Sequence, residues 1–96
     1  MDYITNLEDY KNIVSENKEK TLLFFCSLSF CGPCKVIQPY IENLISTNKN
    51  NDFKFYKITV DELDDNEEEE IKDILKLNGK KFPYFVFMKD DCIIYE

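Results

Sequence analysis

Leu22-Leu23-Phe24-Phe25-Cys26-Ser27-Leu28-Ser29-Phe30-Cys31-Gly32-Pro33-Cys34-Lys35 is the stretch on which the fold of this chain turns. Thr21 to Leu28 is an apolar run with little alternation, as expected of a central strand buried on both faces. After Cys34, the residues Val36, Ile37, Tyr40, Ile41, Leu44 and Ile45 recur on one face of a predicted helix. Cys31 and Cys34 thus stand where a buried strand hands over to a helix N-terminus. Unpaired amides and the positive end of the helix dipole favour a thiolate there, and the thiolate is the species that attacks a disulfide. Two intervening residues leave the second cysteine within disulfide reach of the first. Pro33 suits an early helical position that needs no amide donor, and Gly32 lets another chain approach closely. Cys31, nearer solvent at the turn, is the expected nucleophile. Cys34 is the expected resolving thiol. Lys35 is a cation beside the pair, with a modest pull toward the thiolate or simply a solvated lysine.

Outward from this centre the elements alternate. Met1 to Ile4 reads as a short strand. Thr5-Asn6-Leu7-Glu8 reads as a capping box, and Leu7, Tyr10, Ile13 and Val14 continue a helix to about Asn17. Pro39 should kink the helix after the cysteines, and Ser46 to Asp52 reads as a polar loop. Phe53 to Val60 is a third strand. Asp61 to Glu70 holds eight acids in ten residues and reads as a solvated helix start, the helix running from the mid-sixties to Leu77. Asn78 and Gly79 are the expected helix end. Tyr84 to Met88 and Cys92 to Tyr95 form a terminal strand pair around Lys89-Asp90-Asp91. The order predicts one α/β domain over residues 1–96. Its core is a mixed central sheet of four to five strands, with three helices on its two faces.

Composition narrows the chemistry. The chain has 96 residues, no His and a formal net charge of −7. Missing His removes the commonest general base and metal ligand. The acidic balance argues against nucleic acid and anionic membrane as partners. Met1 to Asn6 has neither the basic nor the apolar region of a signal peptide, and the Leu22–Phe30 run is too short to span a bilayer. The expected location is cytoplasmic, where four cysteines suggest redox or metal chemistry.

The strand and active-site turn from Leu22 to Lys35 resemble those of thioredoxins. Val36-Ile37-Gln38-Pro39 is similar to the family's helix with its kinking proline, and Phe82-Pro83-Tyr84-Phe85-Val86-Phe87 resembles the family's cis-proline segment. The resemblance covers about Thr5 to Tyr95. It implies a thioredoxin-like fold and a thiol–disulfide oxidoreductase that reduces protein disulfides through Cys31 and Cys34. It also implies a cis Pro83 beside the cysteines and a substrate surface of Phe30, Gly32, Pro33, Phe82 and Pro83, the substrate chain pairing like an added strand. The implied partners are disulfide-containing proteins and an electron-donating reductase. No cofactor is implied, since the cysteine pair carries both electrons.

Three departures stand out. Phe30 replaces the family's Trp before the first cysteine. Phe25 occupies the place of a buried Asp that helps deprotonate the resolving cysteine, while Lys57 matches the lysine accompanying that Asp. Lys57, left without its acid, is expected to reach solvent. The sequence ends at Glu96 with the fifth strand, where the family continues into a helix. An uncovered aromatic sheet face would then be a surface for a homodimer or another partner. Cys26 reads as core, and Cys92 as core or exposed thiol. A metal site would need Cys26 and Cys92 to converge on the pair, so no metal is expected. A binding module without redox activity is the alternative function.

Overall fold

The computed structural model describes residues 1–95. Five strands, β1 (Asp2–Ile4), β2 (Thr21–Ser27), β3 (Phe53–Thr59), β4 (Tyr84–Lys89) and β5 (Cys92–Tyr95), lie in the order β1-β3-β2-β4-β5. The first three run parallel, and β4 and β5 are antiparallel additions. Helices α1 (Leu7–Glu16), α2 (Gly32–Thr47) and α3 (Asp65–Ile74) connect them, with a short 3-10 turn at Val60–Glu62. This is the thioredoxin-like architecture: a mixed five-stranded sheet with three helices.

The helices divide between the two faces of the sheet. Tyr10 and Val14 of α1 and Ile71 of α3 pack on Leu22, Phe24, Ile58, Val86 and Met88. On the other face, Ile41 of α2, flanked by Ile37 and Ile45, packs on Phe25 and Phe85. Residues that alternate along β2 therefore serve two separate cores. That is why the strand is apolar throughout rather than at every second position. Among the described residues, no helix is long and apolar enough to cross a membrane.

The structure moves several boundaries. The cap of α1 is Asn6, whose side chain accepts the Asp9 amide at 2.8 Å, so the helix starts one residue later than a Thr5 cap would set it. Thr5 instead donates its hydroxyl to Asp9, and the Leu7 amide is taken by Glu67 of α3. Helix α2 runs on through Ser46 to Thr47. Helix α3 stops at Ile74 instead of Leu77. Its end is a Schellman turn: the Leu77 amide donates to the Lys72 carbonyl and the Lys76 amide to that of Asp73. Lys76, at φ 56°, takes the left-handed position, ahead of the expected Asn78 and Gly79. The buried Leu77 fits that choice: Leu75 keeps its amide on the Ile71 carbonyl at 2.9 Å and shares the face of Ile71, whereas on a continued helix Leu77 would turn about 120° away from Ile71, off the core.

The face predicted for α2 is also too wide. Ile37, Ile41 and Ile45 meet the sheet, but Val36, Tyr40 and Leu44 are exposed, each by about two thirds (69%, 70% and 65%). One helix in contact with one sheet buries only the stripe nearest that sheet.

Candidate active site

Strand β2 ends at Ser27, and after three intervening residues Cys31 caps α2 with an extended backbone (φ −124°, ψ 100°). Gly32 and Pro33 open the helix, and Pro39 sits inside it. Cys31 and Cys34 are joined by a disulfide across a Cα separation of 5.2 Å. The Cys34 amide donates to the Cys31 sulfur at 3.1 Å, so the sulfur occupies the position of a capping oxygen. A negative charge on that sulfur would be held by the same amide and by the helix dipole.

The two sulfurs differ in surroundings. Both cysteines are largely buried with Phe25 and Ile41, Cys31 slightly less so than Cys34 (7% against 3% exposed). Phe30 is almost wholly exposed, and Gly32 and Pro33 are exposed beside it. Cβ atoms added at Gly32 would meet nothing within 4 Å, so the approach to Cys31 is open on that side. Phe82 packs on the core that holds the cysteines, and its bond to Pro83 is cis. Lys35 is exposed.

Two parts of the site are not readable from the motif. Asp61 clamps the loop before the cysteines, accepting the Ser29 amide at 2.8 Å and the Ser29 hydroxyl with its other oxygen. The Ser29 hydroxyl bond, more than the amide bond and the Lys72 charge, holds the Asp61 carboxyl below its ordinary range. In the sequence Asp61 is one acid in a run of eight, with nothing to mark it. The second part is Gln38, an ordinary helix residue by sequence. Its side-chain oxygen accepts the Lys57 ammonium at 2.6 Å. Lys57 therefore does not simply reach solvent. It lies half-buried between the rings of Tyr3 and Phe25, 5.8 and 5.7 Å from their centroids.

The remaining cysteines stand apart. Cys26 is fully buried on the opposite core, and burial pushes its thiol up to about 12. Cys92 is exposed on β5. Among the described residues, no group of three or more His, Cys, Asp or Glu is placed to hold a metal ion.

The thioredoxin family model matches residues 3–94. A thioredoxin of Aspergillus fumigatus is 34% identical over 87 residues, covering 91% of this chain and 72% of that protein. The mitochondrial thioredoxin-3 of Saccharomyces cerevisiae is 32% identical over 91 residues, covering 95% of this chain and 63% of its own length. Among solved structures, Fasciola hepatica thioredoxin superposes with a TM-score of 0.78 at 27% identity, over 99% of this chain and 83% of that one. This chain belongs to the thioredoxin family, and its Cys31–Cys34 pair has the geometry of a thiol–disulfide oxidoreductase centre.

Proposed function

We propose that the protein reduces disulfides in other proteins by a two-step exchange. The Cys31 thiolate attacks one sulfur of the substrate disulfide. A Cys31–substrate bond forms, the substrate disulfide breaks, and the departing sulfur takes the electron pair and then a proton from solvent. Cys34, after losing its proton, attacks Cys31. The Cys31–Cys34 disulfide closes, and the second substrate sulfur leaves with its electron pair. Two electrons pass from the dithiol to the substrate, and a separate reductase returns them. The observation that carries this reading is the Cys34 amide set on the Cys31 sulfur at the start of α2. It favours Cys31 as the sulfur that bears charge between turnovers.

The exposed Phe30 and the cis Phe82–Pro83 bond support a substrate surface running past Cys31 over Gly32 and Pro33. An extended substrate segment pairs there with the backbone at Phe82. The tetrapeptide resembles that of reducing family members, which fits a cytoplasmic setting where thiols are kept reduced. The exposed stripe of Val36, Tyr40 and Leu44 is additional apolar surface on α2, open to a partner protein or a second copy.

Insulin reduction by dithiothreitol, with catalytic amounts of the protein, tests the reading. Turnover in the wild type and none in Cys31→Ser is the expected result. No turnover in either, with both folded, would contradict it and favour a module that only binds.

A further inference from the structure

Asn78-Gly79 is the one Asn-Gly pair of the chain, and it lies at the tip of a turn between α3 and β4. The Lys80 amide donates to the Leu77 carbonyl at 3.0 Å, so Leu77 to Lys80 form a four-residue turn. Gly79, third in that turn, stands at φ 78°, as a type II turn requires. Both Asn78 and Gly79 are exposed. Among the described residues the Gly79 amide has no acceptor and the Asn78 side chain no hydrogen-bond partner. A Cβ at Gly79 would meet nothing within 4 Å, so no neighbour crowds the amide nitrogen.

These are the conditions under which a backbone amide attacks the preceding carboxamide. The attacking nitrogen must be free, the carboxamide must be free to turn toward it, and a following side chain must not stand in the way. The other eight asparagines all precede a residue with a Cβ. The amide after Asn12 and that after Asn43 lie inside helices, where they are bonded to the turn before. Those after Asn6, Asn51 and Asn66 donate to Glu67, Asn50 and Asp64. In Asn17, Asn48 and Asn50 it is the side chain that is engaged.

We propose that Asn78-Gly79 is a self-modifying site, at which the folded chain deamidates to isoaspartate and opens the turn ahead of Phe82–Pro83. The proposal goes beyond the dithiol reading and does not draw on it. The Gly79 nitrogen, its proton lost to solvent, attacks Cγ of Asn78. The Cγ–N bond forms, the Cγ–Nδ2 bond breaks, and ammonia leaves with a proton from solvent. Water then opens the five-membered imide at one of its two carbonyls. Opening at Cγ gives aspartate. Opening at the main-chain carbonyl, the usual course, gives isoaspartate, and no atom is oxidised or reduced. Isoaspartate runs the backbone through Cβ and Cγ and lengthens it by one carbon. The added length falls between the buried Leu77 and Phe82, which packs on the core that holds the cysteines. Either product also sets a new carboxylate in a cleft of about 460 Å³ that Asn78 shares with Glu69, Glu70 and Asp73.

The test is storage of the folded protein at neutral pH in heavy-oxygen water, followed by peptide mapping with mass spectrometry. Asn78 is expected to convert faster than any other asparagine, with one oxygen from water in the product and isoaspartate as the main form. Gly79→Ala should slow the conversion several-fold, and should that variant fail to fold, the ranking of the asparagines in the wild type carries the test. An intact Asn78 while another asparagine converts overturns the proposal, as does conversion in urea that folding arrests. The aged protein is then separated from unconverted chain by ion exchange and compared with Asn78→Asp, which carries the charge on a backbone of ordinary length. A lower urea midpoint for the aged protein, at low and high salt alike, is expected. The Asn78→Asp midpoint should return to that of the wild type in high salt, because the like charges are exposed and screened. Equal midpoints for the aged protein and Asn78→Asp would overturn the opening of the turn.

Discussion

At position 25 a phenyl ring faces Lys57 across the β2–β3 pair. Phe25 is 1% exposed and stacked on Phe85, so its worth to the fold is mainly packing. Phe25→Ala should cost about 3–5 kcal/mol in urea denaturation, as for other large core truncations. A cost under about 1 kcal/mol would mean that α2 collapses onto the gap. Asp61 makes a different prediction. Its carboxyl is held below its ordinary range by the Ser29 hydroxyl, so the bond adds stability above the unfolded pKa of about 3.9. That stability is lost as pH falls through the lower folded value. Urea midpoints of wild type and Asp61→Asn should therefore differ at pH 6 and converge toward pH 2. A constant gap across that range would contradict the clamp. The Cys-x-x-Cys chemistry was legible at this scale because a two-residue spacing at a strand-to-helix junction has few other uses. Gln38 and Asp61 were not, since each acts through a partner 19 or 32 positions away.

Element boundaries follow the competition between local caps and burial. Asn6 outcompetes Thr5 as the cap of α1 because its side chain reaches the Asp9 amide, and Asn6→Ala should cost about 1 kcal/mol by thermal or urea unfolding. Loss of far less would show that Glu67, on the Leu7 amide, is the stronger restraint. At the other end of the chain's helices, Lys76 occupies a left-handed position that glycine adopts without strain. Lys76→Gly should stabilise the protein by about 0.5–1 kcal/mol, and destabilisation would show that the Lys76 side chain makes a contact worth more than the strain. Among the described residues the sequence pattern located the α-helices and strands, since each carries its own periodicity, but not the 3-10 turn at Val60–Glu62, whose first residue it placed in β3. The end of α3 escaped it because the turn brings Leu77 back onto the core, and periodicity alone assigns that residue to the helix. The exposed half of the α2 face escaped for the same kind of reason. Val36, Tyr40 and Leu44 are apolar at helical spacing, and only the position of the sheet tells them from Ile37, Ile41 and Ile45.

In the whole molecule, the parallel β1-β3-β2 core and the α2 N-terminus bring the cysteines to one end of the sheet, while the acids of 61–70 gather at the 3-10 turn and the start of α3. The exposed Phe30 and Gly32 thus frame the cysteine end of the sheet with apolar and small groups. The division of labour between the cysteines is the claim on which the mechanism stands. Trapping with Cys34→Ser tests it most directly. When the reduced variant is mixed with a disulfide-containing peptide, peptide mapping by mass spectrometry should find one adduct, on Cys31, that persists because no resolving thiol remains. An adduct confined to the exposed Cys92, or none on the folded variant, would contradict the assignment of Cys31 as the nucleophile.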